Sequence, residues 1–192
     1  FFATVAHAAP KIEHWVAPSG ARVYFVESRV LPILDVSVDF AAGTVYGPAD
    51  KTGVAGLTRA LLDAGAGNLD EEQISGKLVD IGARMSGSAD ADRAGMSLRT
   101  LSSKAESDAA LELLRAVLSA PTFPESVLAR EKARTIAGIR EAETRPDAIA
   151  AKRFAAAIYP GHAYGLSATV ESVERITRDD LVAFHRDNYA AR

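Results

Sequence analysis

Residues 52–65 read Thr-Gly-Val-Ala-Gly-Leu-Thr-Arg-Ala-Leu-Leu-Asp-Ala-Gly, and this stretch predicts a short helix. Thr52 is a suitable N-cap residue, and Gly65 can adopt the left-handed conformation that often ends a helix. Apolar residues recur at helical spacing and predict one buried stripe: Val54, Leu57, Leu61 and Ala64. We therefore expect one face of this helix to pack on a core, while the face beside it matters for function.

That neighbouring face carries Gly56, Arg59 and Ala60. Their i, i+3 and i+4 spacing places them on adjacent turns of the same side of the helix. Glycine and alanine have no side-chain atom that can bind a metal, and arginine stays protonated at any ordinary pH. The face therefore has the regular spacing of a helical site but lacks both metal ligands and a base.

The stretch resembles the signature helix of the insulinase/pitrilysin family of zinc peptidases, the inverzincins, whose pattern is T-G-x-A-H-x-x-E-H. Three residues of that pattern are present: Thr52, Gly53 and Ala55. In the family the two histidines bind zinc and the glutamate is the general base. The resemblance places the histidine positions at Gly56 and Ala60 and the base position at Arg59.

The resemblance extends over nearly the whole chain. Similar segments are residues 20–23 (N-G-x-x-V in the family), 131–147 (E-R-x-V-V-x-x-E-I…e-x-n-P-d), 159–165 (f-x-x-H-P-Y-G) and 177–189 (t-x-x-D-L-x-x-f-h-x-x-Y). The second of these segments contains the family's third zinc ligand, a glutamate, and counting back from Pro146 places it at Gly138. All three zinc ligands and the base are thus replaced inside an otherwise matching sequence.

The resemblance also implies an assembly. It implies a two-layer domain that normally occurs in tandem pairs, which face each other as a clamshell around a peptide. The second domain of the pair is then missing here, and zinc is expected in a catalytic partner, so no cofactor is expected in this chain. Inactive subunits of the family often position substrate through their second domain, which would follow Arg192. No peptide-binding residue is therefore assigned.

The hydrophobic patterns predict an α+β fold with two layers, an antiparallel sheet with helices packed on one face. Strands are predicted at residues 12–17, 21–27, 33–41, 83–89 and 93–101. Helices are predicted at residues 52–65, 70–81, 106–119, 124–143 and 146–158 and from 177 onward, with a loop at 159–169. Residues 11–192 contain no repeat or linker, and we expect them to form a single domain.

Several of these elements carry local signals. Asp70 and Gln73 resemble a capping box, and Gly82 is placed to end the same helix. The third helix is expected to bury a leucine stripe: Leu111, Leu114 and Leu118. The fourth and fifth strands are expected to pair through their inner faces: Met85, Gly87 and Ala89 on one, and Ala94, Met96 and Leu98 on the other.

The composition is that of an ordinary globular protein, with 48% hydrophobic and 24% charged residues and a net charge of −3. Charges of both signs are interspersed, which gives no indication of nucleic-acid binding. The chain has no cysteine, which excludes disulfides and thiolate metal sites. No apolar run is long enough to predict a membrane span.

The first residues indicate export. Residues 1–10 are apolar and then small, and Ala6-His7-Ala8 fits an A-x-A cleavage site. We interpret this segment as the remnant of a signal peptide and expect a periplasmic or secreted bacterial protein. A flexible start of the chain is the alternative interpretation.

The other candidate residues have structural interpretations. Three histidines are placed by their segments: His162 at a turn before Tyr164, His185 half-buried on the last helix, and His14 on a strand. No two histidines have the spacing of a zinc-binding pair on a helix. Two acidic pairs are expected to be solvated: Asp90 with Asp92, and Glu141 with Glu143. Arg59 is either an ordinary solvated residue or a charge that faces the chamber and attracts peptide carboxylates.

Two functions remain. The favoured hypothesis is a catalytically inactive member of the zinc peptidase family, which pairs as a heterodimer with a catalytic relative and helps to enclose or position peptide substrate. The alternative is a purely structural or assembly subunit that binds no peptide. The two differ in whether a catalytic partner gains activity when this chain is added.

Overall fold

The computed structural model describes residues 11–190. Its strands are β1 (Ile12–Val16), β2 (Arg22–Val26), β3 (Ile33–Phe40), β4 (Gly65–Ala66), β5 (Leu69–Asp70), β6 (Arg84–Ala89) and β7 (Ala94–Leu101). Its helices are α1 (Val54–Ala60), α2 (Glu71–Asp80), α3 (Lys104–Ser119), α4 (Glu125–Ala142), α5 (Pro146–Ile158), α6 (Val170–Arg175) and α7 (Arg178–Asn188). The predicted signal remnant at residues 1–10 lies outside the described residues.

The main sheet is antiparallel, with strand order β3-β7-β6. Side chains alternate along β3, so that its apolar residues are half-buried and its polar residues are exposed. The predicted pairing of β6 with β7 is confirmed residue by residue: Met85 opposite Leu98, Gly87 opposite Met96, and Ala89 opposite Ala94. Helices cover the inner face of this sheet, which confirms the predicted α+β class.

The sequence predicted a single antiparallel sheet, whereas the described strands form three separate sheets. The hairpin β1–β2 forms a separate two-stranded sheet, and β4–β5 forms another that was not predicted. Most side chains of the hairpin are exposed, and Trp15 is 48% exposed. The apolar–polar alternation of a strand predicts that one face is covered, but it does not identify the element that covers it.

Helix α1 lies at the centre of the structure, because it contacts α4, α7, β6 and β7. Its predicted stripe is confirmed, with each of the following residues buried: Val54, Leu57, Leu61 and Ala64. Around it the core collects apolar side chains from the sheet, from α3 and from α7, among them Met96, Leu98, Val117, Leu181 and Phe184.

Both predicted ends of the first helix were wrong. Helix α1 begins at Val54 after Gly53, whose φ of 111° lies in the left-handed region that favours glycine. Thr52 does not cap it and donates instead through its hydroxyl to Ser172 Oγ (2.8 Å). The helix ends at Ala60, and Gly65 lies in β4. The start of the helix is tied to α6 through the contact of Thr52 with Ser172, a long-range contact that local sequence signals do not reveal.

Two further helices differ from the prediction. Helix α3 turns Ala110, Leu113, Leu114 and Val117 inward. Of the predicted stripe, Leu114 is buried and Leu118 is half-buried against the core, while Leu111 is 39% exposed, so the prediction was wrong at Leu111 alone. Helix α6 was missed because its six residues are too few to show a helical period. The predicted capping box of Asp70 with Gln73 and the end of α2 before Gly82 are both confirmed.

Candidate functional site

The functional face of α1 is open at its first position. Gly56 is exposed, and a Cβ atom built there meets no atom within 4 Å. Ala60, one turn further, is half-buried and packs against the core. The space that a larger side chain at residue 56 would occupy is therefore present and unfilled.

Helix α4 carries the other replaced position. Gly138 is exposed in the helix interior, and a Cβ atom there also meets no atom within 4 Å. Helices α1 and α4 contact each other, so the two helices that carry the replaced positions are neighbours.

The residues present do not fit a zinc ion. Gly56, Ala60 and Gly138 offer no side-chain ligand, and the guanidinium of Arg59 is a cation. Across residues 11–190 no group of three or more His, Cys, Asp or Glu side chains is arranged to hold a metal. No catalytic step through a metal can be derived from the donors of this helix face.

Arg59 is half-buried rather than freely solvated. Its side chain crosses to the inner side of β6, where a Cβ atom on Gly87 would lie 2.6 Å from Nη1. Its hydrogen bond within the described chain is to Met96 Sδ, at 3.5 Å, and it forms no ion pair there. A thioether is a weak acceptor, so the guanidinium has almost all of its hydrogen-bonding capacity unused.

Tyr189 lies close enough to Arg59 for the positive charge of the guanidinium to affect the pKa of its phenol. The residue is 9% exposed, and its hydroxyl has no hydrogen-bond partner among the described residues. Burial raises the pKa of the Tyr189 phenol strongly, and the positive charge of Arg59 opposes part of that rise. The phenol is therefore neutral at physiological pH, and its ring packs against His185 and Phe40.

The start of α1 is anchored to the C-terminal helices. Lys51 forms an ion pair of 2.6 Å with Asp180, which also accepts hydrogen bonds from the backbone and hydroxyl of Thr177. Burial would raise the pKa of the Asp180 carboxyl, but the hydrogen bonds from Lys51 and Thr177 outweigh it and lower that pKa. Ser172 on α6 donates to the Thr52 carbonyl oxygen (2.8 Å).

The other residues singled out from the sequence have structural roles. His162 Nδ1 accepts a hydrogen bond from the backbone N–H of Tyr164 (3.1 Å), as predicted for that turn. The Nε2–H of His185 donates to the Leu118 carbonyl oxygen (2.9 Å), and burial lowers the pKa of this imidazole. His14 lies on β1, as predicted, and its ring stacks on that of Tyr24.

The two acidic pairs differ from each other. Asp90 accepts hydrogen bonds from the backbone of the β6–β7 turn, and Asp92 accepts one from the Tyr164 hydroxyl (2.6 Å). These carboxylates hold a turn and a loop together, so the prediction of mere solvation was incomplete. Glu141 and Glu143 are exposed at the end of α4, as predicted.

Sequence reasoning missed the residues that surround Arg59. Gly87 and Met96 were predicted only as sheet residues, although a glycine inside a strand is itself a signal of close approach by another group. It also missed an open groove of about 370 Å³ on the outer face of the sheet. Asp35, Ser37, Arg84, Ser97 and Arg99 line this groove, in which Arg99 already pairs with Asp35 (2.6 Å).

None of the helices in the described part of the chain combines the length and the apolar character needed to cross a membrane. Among curated proteins none matches this chain. Solved structures do match it. The structure of a peptidase M16 inactive domain from Pseudomonas fluorescens is 35% identical, with a TM-score of 0.87 over 91% of this chain and 43% of that one.

More distant structures share the fold. Pitrilysin is 18% identical with a TM-score of 0.77, and the match covers 96% of this chain and 20% of that one. The periplasmic protease PqqL from Escherichia coli is 16% identical with a TM-score of 0.78, over 96% of this chain and 20% of that one. The chain thus spans less than half the length of each of these three proteins.

The sequence profile of the insulinase family, peptidase family M16, matches residues 22–170. This match includes α1 and α4, and so the four positions that the resemblance assigns to the family's zinc ligands and base. Since it covers most of the 192 residues, the chain belongs to the insulinase family of peptidases.

Proposed function

We propose that this chain is a non-catalytic domain of the insulinase family, which pairs with a catalytic relative and helps to enclose or position peptide substrate. The observation that carries the proposal is that Gly56, Ala60, Gly138 and Arg59 stand where the resemblance puts the zinc ligands and the base, in a chain that belongs to the family. Loss of the whole set removes both the ligands and the base that the family's reaction uses.

The relatives support this proposal. The structure from Pseudomonas fluorescens, which is described as an inactive domain, is 35% identical to this chain. The lower-identity matches, pitrilysin and PqqL, support the fold alone. Zinc in this proposal belongs to the catalytic relative, and this chain contributes shape and charge to the peptide chamber.

Pairing is supported by length and by exposed surface. The chain spans 43% of the Pseudomonas fluorescens structure, so a larger unit contains further sequence beside such a domain. Helix α5 has no buried residue, and Phe154 on it is 67% exposed. Apolar surface of this kind is typical of an element that another domain covers.

We also propose a periplasmic location. The export-like residues 1–10 support it, with Ala6-His7-Ala8 as an A-x-A cleavage site. Fractionation of cells, with the protein detected by an antibody, tests the location; recovery with the cytoplasmic fraction contradicts it.

The alternative function is a structural or assembly subunit that binds no peptide. The exposed apolar side chains of the hairpin, among them Trp15, Tyr24 and Phe25, favour it because they form a surface that could hold a partner. An assembly role would use this apolar surface and would not need the face of α1 that carries Gly56, Arg59 and Ala60.

A reconstitution experiment separates the two. The catalytic relative that co-purifies with this protein is assayed for peptide cleavage alone and after the protein is added. The proposed function predicts that cleavage rises on addition. A stable complex with unchanged cleavage favours the assembly role, and zinc-dependent cleavage by this protein alone contradicts both.

A further inference from the structure

Two half-buried arginines of this chain differ in what they bind. Arg178 donates hydrogen bonds to the carbonyl oxygens of Thr122 and Phe123, at 2.9 to 3.2 Å. Arg59 donates only to the sulfur of Met96. A partly buried guanidinium is normally paired, since removing a charge from water without a partner is costly. Arg59 is thus an unpaired cation within the described chain.

The fold holds this cation in place. Gly87 has no side chain, and any Cβ atom there would come within 2.6 Å of Arg59 Nη1 and of the Gly95 carbonyl oxygen. The guanidinium therefore lies directly on the backbone of β6. In the described part of the chain β6 is the edge strand of its sheet, and both Gly87 and Arg59 are half-buried.

The surroundings of Arg59 leave room for a ligand. Gly56, one turn before it on α1, is exposed with open space above its Cα atom. The buried Tyr189 hydroxyl has no hydrogen-bond partner among the described residues. The positive charge of Arg59 opposes part of the rise that burial causes in the pKa of this hydroxyl. A half-buried guanidinium with unused donors, on a helix with open space one turn earlier, is complementary to an anion with several acceptor oxygens.

We propose that Arg59 is the centre of a carboxylate-binding site, which receives an acidic group of a peptide. A planar guanidinium pairs with a carboxylate through two parallel hydrogen bonds, which gives both charge and geometric selectivity. The inference rests on the proposed function, because the peptide in the chamber supplies the carboxylate. The group is either the C-terminal carboxylate or an Asp or Glu side chain.

Binding of labelled peptides tests the site. The purified protein is titrated against a short extended peptide with one internal Glu and a free C-terminus, and binding is followed by fluorescence anisotropy. Matched peptides carry a C-terminal amide, Gln in place of Glu, or both changes. The site predicts that removing the bound carboxylate weakens binding about 10-fold. The peptide that loses affinity identifies the source of the carboxylate.

Variants assign the effect to Arg59. Arg59→Met keeps the aliphatic stem and removes the charge, so it should weaken binding of the parent peptide about 10-fold and abolish the difference between the peptides. Arg59→Lys keeps a charge without the paired donors and should weaken binding less. Arg153→Met removes an exposed arginine of α5 and should bind as the wild type does. Melting temperatures show that each variant is folded.

Two outcomes overturn the site, and they differ in what else they affect. If wild type and Arg59→Met bind the peptide equally and both still distinguish its charged forms, the carboxylate site is wrong while peptide positioning stands. If the wild type binds none of the peptides, peptide positioning by this chain fails together with the site.

Discussion

The two faces of α1 differ: the inner face packs on the core, and the outer face has no side chain that could bind a metal. Its inner face is closely packed, and Leu57 is 3% exposed. Its outer face offers Gly56, which has open space above it, and Arg59, which has no acidic partner in the described chain. The helix keeps its place in the fold through the first face, and the family's chemistry would be carried by the second.

This difference shows that stability and metal chemistry depend on separate residues of one short helix. Buried leucines contribute to folding whether or not a metal is bound nearby. Side chains at exposed positions such as 56 and 138 contribute little to packing, so glycine there leaves the core intact. A retained fold is therefore no indication of a retained reaction, which has to be argued from the site itself.

The largest effect is expected from the inner face. Leu57→Ala should lower the free energy of unfolding by about 2–5 kcal/mol, because it removes buried methyl groups and leaves a cavity in the core. Leu111→Ala makes the same change at a leucine that is 39% exposed and should cost much less. Urea unfolding followed by circular dichroism measures both. Equal losses for the two variants would remove the distinction between packed and open positions.

The contact of Arg59 with β6 is tested at Gly87. Gly87→Ala should lower the free energy of unfolding by about 1–3 kcal/mol, because the new methyl group overlaps the Gly95 carbonyl and the Arg59 guanidinium. Gly76→Ala on α2 is the control, since a Cβ atom there meets no atom within 4 Å. A Gly87→Ala variant as stable as its control would show that Arg59 does not lie on this strand.

The ion pair of Lys51 with Asp180, which anchors the start of α1, should make the free energy of unfolding depend on pH. The pKa of the Asp180 carboxyl is lowered in the folded state by Lys51 and Thr177, against the effect of burial. Its contribution is therefore present above the ordinary aspartate pKa of about 3.9 and is lost as the pH falls through the folded-state value. Asp180→Asn should cost about 1 kcal/mol at pH 7, and this cost should shrink as the pH falls through the folded-state pKa of the carboxyl.

Thermal unfolding of wild type and variant across this pH range measures that difference. Asp179→Asn removes a charge from the neighbouring, exposed residue of α7 and should show a much smaller dependence. A difference between wild type and Asp180→Asn that stays constant down to the lowest pH would contradict the ionised anchor.

The smallest effect is expected on the outer face. Gly56→Ala and Gly138→Ala should each raise the free energy of unfolding by about 0.4–1 kcal/mol. Each glycine lies in a helix interior, and its Cβ atom would enter open space. Chemical denaturation of the two single variants measures the gain. A clear loss of stability in either would show that these positions are crowded rather than open.

Much of this fold follows from local patterns. The alternation in β3, β6 and β7 predicted the sheet and the register of β6 on β7 because one face of each strand must be buried. The capping box at Asp70 was equally local. Long-range contacts were not accessible in this way, so the ends of α1 and the separation of the β1–β2 hairpin were mispredicted.

The site was accessible from the sequence only in part. The spacing of Gly56, Arg59 and Ala60 was sufficient to place them on one helix face and to compare them with a known pattern. The support of Arg59 by Gly87 joins residues that are far apart in the chain, and no periodicity reveals such a contact. A glycine in a strand indicates that something comes close, and the structure identifies it as the guanidinium.

The account depends on one claim, that the outer faces of α1 and α4 form a zinc site without its ligands. The direct test is the zinc bound per chain, measured by mass spectrometry of metals after dialysis. The wild type is compared with a folded variant that carries Gly56→His, Arg59→Glu, Ala60→His and Gly138→Glu. We expect no bound zinc in the wild type and about one ion per chain in the variant. Stoichiometric zinc in the wild type, or none in the folded variant, would contradict the claim.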